Sequence, residues 1–290
     1  PGGSAETASG EWKKIGHKFG TVSFAQNDAM QWAAWGMDYL KYDWSIDVAH
    51  VEEMSKALHA TKHDIVFSLS NSGKIADAEA YGKLAESWRT TGDIYDAWQD
   101  GDAFWHFSVS EIGFSQDKWA AFAAPGNWND PDMLVVGELG WGPNVKPTRL
   151  TPDEQYSHIT LWCMLSAPLI LGCDLDKLDD FTLGLLTNDE VLDVNQDELG
   201  KQATRMGSNG TIDFFVKPLA DGTFALAAFN RGDASKTTNL NKASFYGITG
   251  HITRARDLWR QQDIAGFNAF RTPVTIPPHG VVLLKLWVNK

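Results

Sequence analysis

The succession of apolar segments along the chain is the feature that most limits its fold. Up to Asn195, short apolar runs that predict buried strands alternate with longer stretches that predict helices. The strand-like runs are DYLKYD at 38–43, DIVFSLS at 64–70, MLVVG at 133–137 and PLILGC at 168–173. Strands that alternate with helices are typical of βαβ units in a parallel sheet. This part of the chain is therefore predicted to be α/β.

The pattern of apolar segments changes after Asn195. The segment GSNG at 207–210 is rich in turn formers, and the apolar runs after it are short, alternate with polar residues and are separated by Asp-Gly and Pro-Pro-His-Gly sequences. Short alternating runs between turns predict an antiparallel β domain. We therefore expect two domains, an α/β domain at 1–206 and a small antiparallel β-sandwich at 207–290.

The charge of the chain and the length of its apolar stretches argue against two classes of partner, nucleic acid and membranes. The 290-residue chain has 25 Lys and Arg against 37 Asp and Glu, a formal net charge of −12, and its sequence contains no basic run. Nucleic-acid affinity depends on clustered Lys and Arg, so nucleic acid is not expected as a partner. The longest apolar stretches are shorter than the roughly 20 residues that span a bilayer, so no membrane segment is expected either.

No cofactor is predicted. The sequence lacks a GxGxxG or GxxxxGK[ST] fingerprint for nucleotides. Cys163 and Cys173 flank an apolar segment without CxxC or His at zinc spacing, and we expect both to be small buried apolar side chains. The sequence thus carries no fingerprint of a nucleotide cofactor or of a zinc site.

Polar residues stand at the carboxyl ends of several predicted strands. Active sites of parallel α/β proteins lie at that edge of the sheet. Strand alternation puts Tyr39, Lys41 and Asp43 on one face, and Asn71 follows the next strand. A Lys and an Asp on one face would form an ion pair that keeps Asp43 ionised. An ionised carboxylate there can act as a nucleophile, and a purely structural salt bridge is the alternative.

Two further segments carry carboxylates beside aromatic residues. In WRTTGD at 88–93, Asp93 could be the second carboxylate of a glycosidase-like pair, in which one member is ionised and the other protonated. A helix cap or loop residue is the alternative. In GNWNDPDML at 126–134, the paired Asp suit sugar hydroxyls or a hard cation such as Ca²⁺, and a structural turn is the alternative.

Tryptophan is unusually frequent, with 13 in the chain. Those near the segments above are Trp44, Trp88, Trp98, Trp105, Trp128 and Trp141. Sugar rings present C–H faces that pack on aromatic planes, but most Trp side chains lie in protein cores. We therefore expect only a few of these indoles, Trp128 among them, to contact a ligand.

Five segments together resemble family 27 of the glycoside hydrolases, the α-galactosidase family. They are YLKYD at 39–43, WRTTGD at 88–93, GNWNDPDMLVVG at 126–137, APLILGCDL at 167–175 and VNQDELGKQ at 194–202, in the order and spacing of the family. The resemblance implies a (β/α)8 TIM barrel, here the catalytic domain at 1–206, followed by a β-sandwich. It also implies a retaining mechanism with two aspartates.

The resemblance implies roles for individual residues as well. Asp43 matches the family's nucleophile, and Asp93 matches its acid/base, which must have a raised pKa to arrive protonated. Lys41 and Arg89 match positions that hydrogen-bond the sugar and the surroundings of the nucleophile. Asp132 matches a residue of the sugar subsite.

Near Asp43 the sequence carries different residues from those that are common in the family. Ser45 and the triplet Ser70-Asn71-Ser72 stand where family members commonly carry Cys and C-E-W, so a disulfide common in the family is absent. Asn71 replaces the Glu that reads the sugar 2-hydroxyl in many α-galactosidases. Because this position helps the family to separate galactose from N-acetylgalactosamine, Asn71 is a candidate substrate-binding residue.

A larger departure lies at the start of the chain. The family's barrel begins with three βα units, and nothing before Gly36 matches them. The chain is expected to supply only about barrel strands 4 to 8, which cannot close a barrel. We expect the C-terminal portion of a longer enzyme, whose missing half lies on another chain, is cleaved off or is absent. A homo-oligomer is the alternative arrangement.

The resulting functional prediction is hydrolysis of terminal α-galactosyl residues in oligosaccharides or polysaccharides. The alternatives within the family are α-N-acetylgalactosaminidase, β-L-arabinopyranosidase and isomalto-dextranase. From another class, the alternative is an inactive carbohydrate-binding fragment. Acidic, Trp-rich glycosidases of this kind are often exported, which favours a secreted or periplasmic location.

Overall fold

The computed structural model describes residues 23–43, 46–100, 106–140, 144–240, 247–248, 250–268 and 271–289. The helices and strands of the α/β part are α1 (Ala25–Ala34), β1 (Tyr39–Tyr42), α2 (Val48–Ala60), β2 (Val66–Leu69), α3 (Ala78–Leu84), β3 (Ser87–Arg89), β4 (Asp93–Ile94), β5 (His106–Phe107), α4 (Val109–Gly113), β6 (Trp128–Asp130), β7 (Glu138–Leu139), β8 (Lys146–Pro147), α5 (Pro152–Met164), α6 (Asp180–Leu186) and α7 (Asp189–Asn195). Segments of 3-10 helix occupy Ile75–Asp77, Gln116–Phe122 and Leu175–Lys177.

The chain forms two compact units. One consists of the chain up to Gly92 together with Gly126–Asp130, and the other of Asp93–Pro125 together with Pro131–Lys290. The first unit contains a four-stranded sheet of order β1-β2-β3-β6, and every neighbouring pair in it is parallel. Because helices connect β1 to β2 and β2 to β3, the predicted βαβ organisation is confirmed for this segment.

The two faces of this sheet differ in polarity, as strand alternation requires. Leu40 and Tyr42 of β1 are buried, whereas Tyr39 and Lys41 are exposed. The Phe67 ring of β2 packs edge-on against Tyr42, with 5.5 Å between the ring centroids. One face of β1 therefore belongs to the apolar core of the first unit, and the face that carries Lys41 does not.

Side chains mark where two of the longer helices begin. The Asp47 carboxylate accepts a hydrogen bond from the His50 N–H in the first turn of α2. At the start of α5, Thr151 and Glu154 form a reciprocal capping box, and Pro152 takes the first helical position. Such caps satisfy backbone N–H groups that have no partner within the helix, and each stabilises a helix by about 1 kcal/mol.

The runs MLVVG and PLILGC, predicted as strands, differ in detail from the prediction. In the second unit they meet in one parallel bridge, between Leu134 and Leu171, and neither run forms a longer strand. The first run lies between Asp132 and Gly137, whose φ angles are 82° and 70°. Because a left-handed residue interrupts extended backbone, only a short stretch remains for pairing.

The C-terminal part is an antiparallel β structure, as predicted. Its strands are β9 (Thr204–Asn209), β10 (Ile212–Pro218), β11 (Phe224–Asn230), β12 (Lys236–Asn239), β13 (His251–Asp257), β14 (Gln262–Asp263), β15 (Pro273–Ile276) and β16 (Val281–Asn289). They form a six-stranded sheet of order β14-β13-β16-β11-β10-β9 and a two-stranded sheet of β12 and β15. The pairs in both sheets are antiparallel.

Helix α5 shares a hydrophobic core with the six-stranded sheet. Trp162 of the helix belongs to one buried cluster with Phe215, Phe229 and Leu283 of the sheet. Each large apolar side chain buried there stabilises the fold by about 1.5–3 kcal/mol. Cys163 lies in the same cluster and is fully buried, as predicted.

Two further predictions concern Cys173 and the membrane. Cys173 is only partly buried, contrary to the prediction, and its thiol is free, as is that of Cys163. Within the described part of the chain, no helix has the length and apolar character needed to cross a membrane.

Candidate active site

A polar row crosses the parallel sheet of the first unit. The strand register aligns Lys41 with Ser68, Ser68 with Ser87, and Ser87 with Trp128. Because cross-strand partners project to the same side, these four side chains share the face opposite the apolar one. Arg89 pairs in register with Asp130 one pleat further along. The predicted residues Lys41, Arg89 and Trp128 thus lie on one face of one sheet.

Lys41 forms its ion pair with Asp130. Its Nζ lies 3.7 Å from Asp130 Oδ2, and the Asp130 side chain is 2% exposed against 40% for Lys41. The predicted pair between Lys41 and Asp43 is therefore wrong. Residues i and i+2 are about 6.6 Å apart along a strand, whereas a long side chain on a curved sheet can reach a more distant strand. Lys41 supplies the charge that compensates the buried Asp130 carboxylate.

Asp43 and Asn71 meet just beyond the ends of their strands. Asp43 follows β1 and is exposed, and its Oδ1 accepts a hydrogen bond from Asn71 Nδ2 over 3.4 Å. Asn71 has a φ of 61°, in the left-handed region that Asn tolerates better than most residues. This backbone conformation directs the amide of Asn71 towards the carboxylate.

Arg89 organises the turn that follows β3. It is 3% exposed, and its Nη2 donates to the Gly92 carbonyl over 2.7 Å. The carbonyl of Arg89 in turn accepts from the Gly73 N–H over 2.8 Å. The guanidinium therefore holds the backbone that leads to Asp93.

Asp93 and Asp132 belong to the second unit. Asp93 opens β4 and is exposed, while Asp132 is 6% exposed. The Asp132 Oδ2 accepts from the Ile94 N–H over 2.8 Å, and its Oδ1 accepts from the Met133 N–H over 2.8 Å. Asp132 thus fixes the strand that begins with Asp93, and its contact with a sugar stays a prediction.

Several predicted indoles belong to the core, as expected for most Trp. Trp88 is fully buried and Trp98 is 5% exposed, whereas Trp128 is partly exposed at the start of β6. The predictions for Trp44, Ser45, Trp105 and Trp141 lie outside the described residues.

The site also contains a residue that the sequence reasoning missed. By sequence Asp130 is only one of two aspartates in the WNDPD loop, although it is the last residue of β6, much as Asp43 directly follows β1. Among the residues that the structure describes, no group of three or more His, Cys, Asp or Glu side chains is placed to hold a metal ion. The functional groups available at this site are carboxylates, amides and the cationic side chains of Lys41 and Arg89.

Comparison with known proteins identifies the family. The family model described as alpha galactosidase A matches residues 9–197, and that of the alpha galactosidase C-terminal β-sandwich domain matches residues 209–286. The chain belongs to the α-galactosidase family. This confirms the resemblance to glycoside hydrolase family 27 and, with the parallel and antiparallel sheets, the predicted TIM-barrel and β-sandwich fold class.

Members of the α-galactosidase family resemble this chain over most of its length. Alpha-galactosidase 2 of Arabidopsis thaliana is 38% identical over 245 residues, which are 83% of this chain and 58% of the relative. The crystal structure of α-galactosidase I from Mortierella vinacea superposes with a TM-score of 0.82 and 29% identity, covering 99% of this chain and 75% of that one. A family 27 β-L-arabinopyranosidase from Geobacillus stearothermophilus gives a TM-score of 0.78 and 28% identity, covering 91% and 60%.

The chain is shorter than these family members. It spans 58%, 61% and 56% of the length of three plant α-galactosidases that it matches, those of Arabidopsis thaliana, rice and Cyamopsis tetragonoloba. The matches to the family models establish family membership for this chain.

Proposed function

We propose that the protein is a retaining glycoside hydrolase that releases terminal α-galactosyl residues from oligosaccharides or polysaccharides. The observation that carries this proposal is the position of Asp43 in a chain of the α-galactosidase family. Its exposed carboxylate stands at the carboxyl end of a parallel strand and accepts a hydrogen bond from Asn71. Active sites of barrel enzymes lie at that end of the strands.

The proposed reaction has two steps. Asp43 attacks the anomeric carbon and forms a covalent glycosyl ester while the bond to the leaving oxygen breaks and Asp93 donates a proton to that oxygen. Asp93 then removes a proton from water, the water oxygen attacks the anomeric carbon, and the ester bond to Asp43 breaks. Two inversions return the sugar with its original anomeric configuration.

The surrounding side chains are proposed to bind the substrate. Lys41 presents its ammonium on the polar face of the sheet and can donate to sugar hydroxyls while it remains paired with Asp130. Trp128 offers an aromatic plane in the same row. Arg89 and Asp132 are proposed to complete the site chiefly through the backbone that they hold. The residues 1–206 would form the catalytic domain and 207–290 the β-sandwich.

Asn71 favours a second candidate specificity. An amide at this position has both a donor and acceptor, whereas the Glu common in the family only accepts when ionised. The site is therefore proposed to read the sugar 2-position differently from a Glu-bearing α-galactosidase. An α-N-acetylgalactosaminidase, whose substrate differs from a galactoside at that position, is the alternative within the family.

The test is an assay on p-nitrophenyl glycosides. The chain is assayed alone and joined to the N-terminal barrel half of the Mortierella vinacea enzyme, on α-galactoside, α-N-acetylgalactosaminide and β-L-arabinopyranoside. We expect α-galactoside to be hydrolysed with retention of configuration, and Asp43→Asn and Asp93→Asn to remove that activity. Full activity in either variant, or an inverted product, would refute the assignment of these roles.

A further inference from the structure

The backbone after Asp93 is held by groups that lie far away in the sequence. The Ile94 N–H donates to Asp132 Oδ2 over 2.8 Å, and the Tyr95 N–H donates to the Phe107 carbonyl over 2.8 Å. Asp96, the next residue, is buried, with only 6% of its surface exposed. Such a buried carboxylate requires compensating donors, because burial of an unpaired charge is strongly unfavourable.

Arg149 provides those donors. Its backbone N–H donates to Asp96 Oδ2 over 3.0 Å, and its Nε and Nη2 donate to Oδ1 over 3.2 and 2.9 Å. The Asp96 side chain is only 7% exposed, against 45% for Arg149. These are charge-assisted hydrogen bonds to a carboxylate shielded from water, which makes them stronger than a surface ion pair.

The same guanidinium also contacts Tyr95. Its central carbon lies 4.0 Å from the centre of the Tyr95 ring, and that ring stacks on His106 with 5.5 Å between centroids and 7° between planes. The register of β4 and β5 sets His106 opposite Asp93. Arg149 therefore contacts both Asp96 and Tyr95. These two residues determine the path of the chain after Asp93, and Tyr95 also connects it to the neighbouring strand β5. A lysine cannot make both contacts, because they depend on a planar group.

We propose that Arg149 is a positioning residue for Asp93. By holding Asp96 and Tyr95 it fixes the backbone from which the Asp93 carboxyl group projects, and thereby the geometry of proton donation to the leaving group. The inference rests on the function proposed above, which assigns Asp93 as the acid/base. A displacement of about 1 Å in such a group lowers a rate by about 100-fold.

The chain offers a matched control in its β-sandwich. Arg254 donates from Nε and Nη2 to Asp263 over 3.0 and 2.8 Å, and its central carbon lies 4.1 Å from the centre of a Trp287 ring. It thus makes the same two kinds of contact as Arg149, at a position where no residue of the proposed site lies nearby in the sequence. Removal of Arg254 controls for the loss of an arginine as such.

The experiment compares two leaving groups in Arg149→Gln and Arg254→Gln. The dinitrophenolate of 2,4-dinitrophenyl α-galactoside departs without a proton, whereas the methanol of methyl α-galactoside needs one from Asp93. For Arg149→Gln we expect kcat/KM to fall at least about 10-fold on the methyl glycoside and less than about 2-fold on the dinitrophenyl glycoside. Arg254→Gln is expected to leave both values unchanged. An equal loss on both substrates in Arg149→Gln would overturn the proposal.

A second measurement does not depend on activity. Hydrogen exchange of the backbone amides of residues 94–98 is expected to be at least about 10-fold faster in Arg149→Gln, and unchanged in Arg254→Gln. Arg149→Lys, which retains the charge, is expected to recover only part of the protection. Unchanged exchange in Arg149→Gln would overturn the proposal. If the wild-type protein hydrolyses neither galactoside, the proposed function fails, and exchange alone decides whether Arg149 holds this segment.

Discussion

Lys41 Nζ lies 3.7 Å from Asp130 Oδ2, although these residues belong to the two outer strands of the four-stranded sheet. Three strand spacings of about 4.8 Å would separate those strands by roughly 14 Å in a flat sheet. Side chains stand nearly perpendicular to their sheet, so Lys41 and Asp130 would not meet across a flat one. The ion pair therefore shows that the polar face of this sheet is concave, as the inner face of a barrel sheet must be.

Lys41 and Asp130 are expected to be energetically coupled. In a double-mutant cycle with Lys41→Met and Asp130→Asn, we expect a coupling of about 0.5–1 kcal/mol in the free energy of unfolding, because Lys41 is half-exposed. Urea unfolding of the four proteins measures it. The exposed helical pair Lys83 and Glu79, 2.8 Å apart, is the control and should be coupled more weakly. Additive effects of Lys41→Met and Asp130→Asn would contradict the prediction.

Asn71 is expected to control the choice of substrate. The variant Asn71→Glu introduces the carboxylate acceptor that the family resemblance implies for the sugar 2-hydroxyl, and should raise the ratio of kcat/KM for α-galactoside over α-N-acetylgalactosaminide by about 10-fold. Asn71→Gln, which keeps the amide but lengthens the side chain, is the matched control. A ratio that is the same in Asn71→Glu and the wild type would show that this position does not read the sugar.

The local features of the site could be predicted from the sequence because they depend on short-range geometry. A period of two residues places Lys41 and Asp43 on one face of a strand, and the apolar runs locate the strand ends. The partner of Lys41 could not be predicted in this way. Asp130 lies 89 residues later, and its proximity depends on the order and curvature of the strands.

The segment after Asp93 shows the same limit more strongly. Asp96 and Arg149 are 53 positions apart, and nothing in the sequence pairs one with the other. Long-range polar contacts of this kind leave no periodic signal, since each partner alone is compatible with an exposed loop. The strand predicted at 133–137 is also longer than the one that forms. The backbone angles at Asp132 and Gly137 limit this segment to a single bridge.

Acid is expected to destabilise the fold through His158. Its Nε2 accepts the Val135 N–H over 3.0 Å, and complete burial lowers the pKa of the ring from 6.5 to about 3. Below pH 6.5 the unfolded chain binds a proton at this residue and the folded protein does not. The free energy of unfolding should therefore fall as the pH drops from 6.5 towards 3, by at most about 1.4 kcal/mol per pH unit from this group.

The variant His158→Gln tests this linkage. A Gln can still accept the Val135 N–H through its amide oxygen but does not titrate, so stability should fall less steeply between pH 6.5 and 4 than in the wild type. Urea unfolding across that range provides the measurement. His251→Gln, at an exposed position, is the control and should leave the slope unaltered. An identical acid slope in His158→Gln and the wild type would assign the acid sensitivity to other groups.

Lys217 is expected to make stability rise at alkaline pH. Its ammonium is buried and donates to the Val194 carbonyl, to Ser166 Oγ over 2.6 Å and to the Cys163 carbonyl over 3.4 Å. Burial lowers its pKa from 10.5 to about 8. Between these values the unfolded chain retains a proton that the folded protein has released, so the free energy of unfolding should rise with pH, by at most about 1.4 kcal/mol per unit.

The comparison with Lys217→Met isolates that contribution, because other groups that titrate in alkali are common to both proteins. The stability difference between wild type and variant should be constant below pH 8, where the amine is charged in both states, and should shift in favour of the wild type from pH 8 to 10.5. Denaturant unfolding at several pH values measures this difference. A difference that stays constant up to pH 10.5 would mean that Lys217 keeps its proton in the folded protein, and that its three hydrogen bonds fully offset the cost of burial.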